Sequence, residues 1–172
     1  MQVYYTMEYL PVRYNGTSEQ VANRKAVWNF KDGNASSSII DALAARIRMI
    51  AGSDKSSYVV CFVPASTSWK TSRRYSSVAR QLEQITGVRA AMSAITKPVD
   101  GEAGHIAGKT ADPASEFSFD ASQFRGKNVI LVDDVVTRGR TLLSTSERLT
   151  ARGAASVTGL AVAKTINPGY AA

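Results

Sequence analysis

The stretch from Val129 to Thr141, VILVDDVVTRGRT, combines residue types that suit the binding of a sugar phosphate. Four apolar residues precede two adjacent carboxylates, Asp133 and Asp134, and a short polar turn containing Gly139 then leads into a helical pattern. The N–H groups at the start of a helix carry partial positive charge and suit a phosphate. Carboxylates beside a phosphate repel it unless hydroxyl donors or Mg²⁺ intervene. The stretch therefore favours a sugar 5-phosphate with free hydroxyls over bare phosphate.

The same stretch resembles the phosphoribosyl-pyrophosphate-binding signature of the type I phosphoribosyltransferases. Four apolar residues, two acids, two apolar residues and Thr-x-Gly-x-Thr match over 13 consecutive positions. The resemblance implies that Asp133 and Asp134 are the catalytic carboxylates, which hold the ribose 2- and 3-hydroxyls and contribute, with the substrate, to a Mg²⁺ site. It also implies that the 5-phosphate is wrapped by Thr137, Arg138, Gly139, Arg140 and Thr141.

The resemblance also implies functional roles for other segments of the chain. Family members place a pyrophosphate-binding loop at the position held here by Ala65, Ser66, Thr67 and Ser68, and an ordinary strand-to-helix turn is the alternative. The loop from 97 to 118 would be a lid that excludes water from the reacting centre. The candidate cations near the phosphates are Arg73, Arg74, Lys97, His105 and Lys109, although incidental solvated side chains would give the same pattern.

We therefore expect an enzyme that uses phosphoribosyl pyrophosphate and Mg²⁺ to transfer ribose 5-phosphate to a nitrogen base. The 6-oxopurine branch of the family usually has Asp where this chain has Thr137, and threonine cannot act as a carboxylate base. A hypoxanthine or guanine acceptor is therefore disfavoured. Two alternatives remain: a non-catalytic regulator that binds phosphoribosyl pyrophosphate or a nucleotide, and a protein linked to DNA uptake. The latter rests on a partial likeness of residues 69–75 to the competence-associated ComF group.

Composition fits one domain of a protein with a substantial core. The chain has 172 residues, of which 44% are hydrophobic and 20% charged, and these values exclude a disordered chain. The net charge of +7 suits an anionic partner. A polyphosphate substrate is favoured over nucleic acid, because there is no long basic run. No membrane-length apolar run or secretory signal is visible, so we expect a cytoplasmic protein, and we expect a homodimer.

Patterns around these motifs predict an α/β fold with a parallel sheet flanked by helices. Strands are predicted at 58–63, 89–96, 129–132 and 157–163. Helices are predicted from Ser38 to Gly52, from Ser76 to Gly87 and from about Thr141 to Arg152. The carboxyl ends of the strands would bring together the loops 64–74, 97–118 and 133–141. The core would span about 36–165, and residues 1–35 and 166–172 would form a small hood, with the first 30 residues as a hairpin or irregular cover.

Overall fold

The computed structural model describes residues 1–98 and 112–168 of the chain. Its main sheet has five parallel strands in the order β1-β7-β6-β2-β3, and a separate antiparallel pair is formed by β4 and β5. The strands are β1 (Val3–Tyr9), β2 (Tyr58–Phe62), β3 (Arg89–Ala90), β4 (Ile95–Thr96), β5 (Ser118–Phe119), β6 (Asn128–Val136) and β7 (Ser156–Thr165). The helices are α1 (Ser18–Lys31), α2 (Ser37–Ala51), α3 (Ser68–Thr86) and α4 (Arg140–Ala151). The predicted parallel sheet flanked by helices is confirmed.

Alternating side chains of the central strands fill two separate cores, one on each face of the sheet. Val60 and Phe62 of β2 pack with α1, α2 and α3 on one face. Val59 and Cys61 face the other side, where α4, β4 and Phe124 cover them. Because both faces are covered, the central strands are nearly continuous apolar runs, as parallel sheets require.

The prediction of a hairpin or irregular cover for the first 30 residues is wrong. Val3–Tyr9 is a parallel edge strand of the main sheet, and Ser18–Lys31 is a helix that Thr17 and Gln20 begin with a reciprocal capping box. Buried Arg24 of α1 holds the segment that connects the two elements, because its guanidinium donates to the carbonyls of Leu10, Pro11 and Tyr14 at 2.6–3.0 Å. Residues 1–31 are therefore part of the layered core.

Three predicted boundaries also differ. The cap of α2 is Ser36 and not Ser38, since the Ser36 hydroxyl accepts the N–H of Ile39. Helix α3 begins at Ser68, eight residues before the predicted start at Ser76, because Thr67 accepts the N–H of Lys70. The predicted strand 89–96 is broken by a turn at 91–94, after which β4 leaves the main sheet to pair with β5. The helix stops predicted at Gly52 and Gly87 are confirmed.

In the described residues, no helix has the length and apolar character needed to cross a bilayer.

Candidate functional site

The two adjacent carboxylates belong to strand β6 itself and not to the loop that follows it. The strand continues to Val136 because β7 extends beside it, pairing Asp133 with Ala161 and Val136 with Lys164. The Asp133 carboxylate accepts the N–H of Asp134 at 2.8 Å, and the Asp134 carboxylate accepts the N–H of Val135 at 2.6 Å. Both acids are therefore held by the hydrogen-bonded end of a strand.

The turn after β6 makes an open helix N-terminus. Gly139 is the N-cap of α4 with φ +77 and ψ 11, a left-handed conformation that side-chain-bearing residues rarely adopt. Among the described residues, no side chain caps the first N–H groups of the helix. This turn surrounds a cavity of about 280 Å³, here called the β6–α4 cavity. It is lined by Asp133, Val135, Val136, Thr137, Arg138, Gly139, Arg140, Thr141 and Leu142. Six of the seven residues predicted from the signature thus share one cavity, which Asp134 does not line.

Thr137 connects this turn to the neighbouring strand. Its hydroxyl lies 2.8 Å from the hydroxyl of Thr165, the last residue of β7. The contact fixes the position of the loop relative to β7, and the threonine side chain offers no carboxylate that could act as a base.

The two acids differ in their electrostatics. Burial raises the pKa of Asp133 well above its usual value, and the neighbouring charge of Asp134 and their mutual hydrogen bond raise it further. Burial also acts to raise the pKa of Asp134, but the hydrogen bond with Asp133 and the charges of Arg74 and Lys31 outweigh it and lower that pKa. The pKa values of the two neighbouring carboxyls are therefore shifted in opposite directions.

The charge of Asp134 is met by cations from two helices. Its Oδ2 lies 3.2 Å from a terminal guanidinium nitrogen of Arg74 on α3 and 3.6 Å from Nζ of Lys31 on α1. The side chains of Arg74 and Asp134 are only 13% and 14% exposed. The pair is therefore poorly solvated, and each charge depends on the other for compensation.

The predicted pyrophosphate loop lies at the carboxyl end of β2, next to β6. The hydroxyls of this loop and of the first turn of α3 mainly serve the helix: Thr67 caps it, and the N–H of Ala65 donates to Thr71 at 2.9 Å. Ser66 is exposed at the helix start. Ser68 lines a second cavity of about 190 Å³, whose wall also includes Lys97. The loop and the β6–α4 cavity thus occupy the same edge of the sheet, but Ser68 lines a different cavity.

The predicted cations are mostly engaged within the protein. Arg73 donates to the carbonyl of Asp32 at 3.0 Å and stacks on Trp69, with its guanidinium carbon 5.3 Å from the ring centre. Arg74 pairs with Asp134, and Lys97 pairs with Glu116 at 3.3 Å. His105 and Lys109, and most of the predicted lid, lie outside the described residues. So do positions 169–172 of the predicted hood.

Lys31 is a site residue that no motif in the sequence identifies, because it lies in the segment 1–35 that is predicted to form a small hood. A signal is present, since Thr17 and Gln20 have the spacing of a capping box and Val27 and Phe30 follow at helical spacing. That pattern indicates the helix, although the approach of Lys31 to Asp134 depends on the tertiary fold.

Comparisons with known proteins identify the family and the fold of the chain. The family model described as phosphoribosyl transferase domain matches residues 27–165. One similar solved structure is described as the glutamic acid mutant in an analysis of an invariant aspartic acid in HPRTs. It aligns with this chain at a TM-score of 0.52 and 18% identity, and the alignment covers 83% of this chain and 80% of that one. A point mutant of the hypoxanthine phosphoribosyltransferase from Trypanosoma cruzi, complexed with the product IMP, has a TM-score of 0.51 and 14% identity, over 83% of this chain and 75% of that one. At these identities the likeness concerns the fold. No curated protein matches the chain significantly.

Proposed function

Because the chain belongs to the phosphoribosyl transferase domain family, we propose that it binds phosphoribosyl pyrophosphate with Mg²⁺ and transfers ribose 5-phosphate to a nitrogen base. The observation that carries this proposal is the β6–α4 cavity, in which Asp133 lies beside the N-terminus of α4, whose N-cap Gly139 has no side chain. A phosphate accepts hydrogen bonds from such N–H groups, and a carboxylate accepts them from sugar hydroxyls. One cavity therefore offers complementary groups to both ends of a ribose 5-phosphate.

The residues fit a magnesium ion that arrives with its substrate. Within residues 1–98 and 112–168, no three His, Cys, Asp or Glu side chains converge as a metal centre would require. Mg²⁺ commonly uses one or two protein carboxylates together with substrate oxygens. Asp133 would supply the protein carboxylate, and the bound metal would neutralise charge on the pyrophosphate.

In the transfer, the acceptor nitrogen forms a bond to the sugar C1 as the bond from C1 to the pyrophosphate oxygen breaks. The role of the chain is to position the sugar and to stabilise charge. The N–H groups of α4 and the hydroxyls of Thr137 and Thr141 would hold the 5-phosphate. The exposed start of α3, at Ser66 and Ser68, would face the departing pyrophosphate. Thr137 provides no base for a 6-oxopurine, so we favour a different nitrogen acceptor.

The proposal is tested by thermal unfolding with phosphoribosyl pyrophosphate and Mg²⁺, followed by a pyrophosphate-release assay over a panel of bases. Ligand at about 100 times its dissociation constant should stabilise the protein by about 2.7 kcal/mol. Asp133→Asn should abolish the shift, whereas Asp54→Asn, at the opposite edge of the sheet before β2, should keep it. An unshifted wild type would refute the substrate, and an equal shift in Asp133→Asn would refute the site.

A regulator that binds the same ligand without turnover is the second candidate. Three of the predicted pyrophosphate contacts, Arg73, Arg74 and Lys97, are held by groups of the protein itself. Cations engaged in this way are less available to stabilise a leaving pyrophosphate, which favours binding over catalysis. A thermal shift without pyrophosphate release from any base in the panel would select this candidate.

A further inference from the structure

Trp28 of α1 is a large aromatic side chain that the fold leaves 42% exposed. Its indole N–H donates at 3.2 Å to the hydroxyl of Tyr9, the last residue of β1, and Tyr9 itself packs against the core shared with α1, α2 and α3. Within residues 1–98 and 112–168, no cation or second aromatic ring stacks on the indole. The indole is therefore held at one edge beside the carboxyl end of the sheet, and its ring is available to a planar ligand.

A first series of contacts joins Trp28 to the β6–α4 cavity. Tyr9 pairs with Thr165, the last residue of β7, and the Thr165 hydroxyl lies 2.8 Å from the hydroxyl of Thr137. Thr137 lines the cavity and belongs to the turn proposed to hold the 5-phosphate. Trp28 therefore lies on the side of the proposed sugar site where β7 and β1 end.

A second series of contacts joins Trp28 to the acid pair. Lys31 follows Trp28 by three residues on α1, and side chains at this spacing are neighbours on one face of a helix. Nζ of Lys31 lies 3.6 Å from Oδ2 of Asp134. The acids and the turn after β6 are thus each connected to Trp28 through a short series of neighbouring side chains.

We propose that Trp28, held by Tyr9, determines acceptor specificity by stacking on the ring of a planar heteroaromatic base. This inference rests on the proposed function, because the base is the acceptor that would attack C1 of the sugar. A ribose held at its 5-phosphate and at its 2- and 3-hydroxyls keeps C1 free, and Trp28 is an exposed aromatic ring adjacent to both of those subsites. Every base has a π-face that an indole can stack on, whereas a non-planar amine gains nothing from it.

The test compares ribose 5-phosphate with the 5′-monophosphates of adenosine, guanosine, cytidine and uridine, which add a base to the same sugar phosphate. Affinities are measured by calorimetry in the full chain with Mg²⁺. Stacking should make the wild type bind the nucleotides about fivefold or more tighter than ribose 5-phosphate. Trp28→Ala should remove this preference and keep the affinity for ribose 5-phosphate within about twofold, whereas Trp28→Phe should retain most of the preference. Trp69→Ala is the matched control and should keep it, because that exposed tryptophan is already stacked by the guanidinium of Arg73, 5.3 Å from the ring centre.

Fluorescence gives a second readout, which does not depend on the folding of Trp28→Ala. The chain has two tryptophans, so Trp69→Phe leaves Trp28 as the only one. Nucleotide should quench the emission of this variant, and ribose 5-phosphate should not.

Nucleotides that bind no tighter than ribose 5-phosphate would overturn the inference, because stacking is open to every base. A preference that survives Trp28→Ala, or that is lost in Trp69→Ala instead, would overturn it as well. Equal losses of affinity for nucleotide and for ribose 5-phosphate in Trp28→Ala would show that Trp28 acts only on the fold, and so would unquenched emission in Trp69→Phe at saturating nucleotide. A wild type that binds neither ribose 5-phosphate nor a nucleotide would refute the proposed function itself, and that result is distinguishable from a loss of base preference alone.

Discussion

Replacing Gly139 by alanine separates the backbone geometry of the turn after β6 from the side chains around it. Gly139 has φ +77, and a Cβ added there would lie 3.8 Å from Cγ2 of Val136, an ordinary contact. The cost is therefore conformational, about 1–2 kcal/mol for a non-glycine residue held in the left-handed region. For a domain of this size, 1 kcal/mol corresponds to about 2–4 °C in the unfolding midpoint, so we expect the midpoint to fall by about 2–8 °C.

Ligand affinity in Gly139→Ala should fall further than stability alone would require. If the substituted residue relaxes out of the left-handed region, the first N–H groups of α4 no longer converge on the cavity. Each hydrogen bond to a charged group contributes about 1.5–3 kcal/mol, so the loss of one weakens phosphoribosyl pyrophosphate binding about 10- to 100-fold. Calorimetric titration with Mg²⁺ present measures this loss.

Gly126→Ala is the matched control. Gly126 has φ +74, and apart from its chain neighbours no atom of the described residues lies within 4 Å of the position that a Cβ would take. The residue precedes β6 at the opposite edge of the sheet. This variant should lose the same stability and keep its affinity for the ligand. If Gly139→Ala binds as tightly as Gly126→Ala, the backbone of the turn after β6 is not the phosphate site.

Three further predictions concern the surrounding structure. Arg24→Met should lower the free energy of unfolding by about 3 kcal/mol in denaturant titrations, because three carbonyls lose a charged donor. The control Lys25→Met, at an exposed position, should change the free energy of unfolding by less than about 0.5 kcal/mol. Equal effects of the two substitutions would contradict a stabilising role for the hydrogen bonds of Arg24. The raised pKa of Asp133 means that its contribution to stability is present at low pH and is lost as pH rises above its unfolded pKa of about 3.9 toward its folded pKa. Asp133→Asn should therefore be more stable than the ligand-free wild type at neutral pH, with a difference that shrinks toward about pH 4; a pH-independent difference would contradict this. Burial raises the pKa of Cys61 to about 12, so a thiol reagent should label it at about pH 8 only after denaturation, and rapid labelling of the folded protein would contradict its burial.

Local sequence was sufficient for the signature and for most of the secondary structure. Val129–Val132 is a short apolar run typical of a strand buried on both faces, and Gly52 and Gly87 end their helices because each adopts a positive φ. The 13-residue signature predicted the succession of strand, glycine turn and helix that the structure contains, since adjacent residues encode all three. Elements whose hydrogen-bonding partners are near in sequence are the ones that such patterns can predict.

Local patterns did not predict elements whose hydrogen-bonding partners are far away in the sequence. Val3–Tyr9 forms a strand because β7, near the other end of the chain, supplies the parallel ladder, with Gly159 beside Val3. The same strand β7 extends β6 past Val132, so that the two acids lie in a strand and not in a loop. No local pattern reports an interaction of that range.

The sequence by itself determined that two acids and a glycine turn occur together, and with them a ribose-phosphate site could be predicted. Only the tertiary structure decided which acid lines the cavity, because that depends on the extension of β6 by β7 and on cations from α1 and α3. Asp133 and Asp134 are the same residue type at adjacent positions, so the motif alone does not distinguish them. They become different when the fold places one beside the N-terminus of α4 and the other against Arg74.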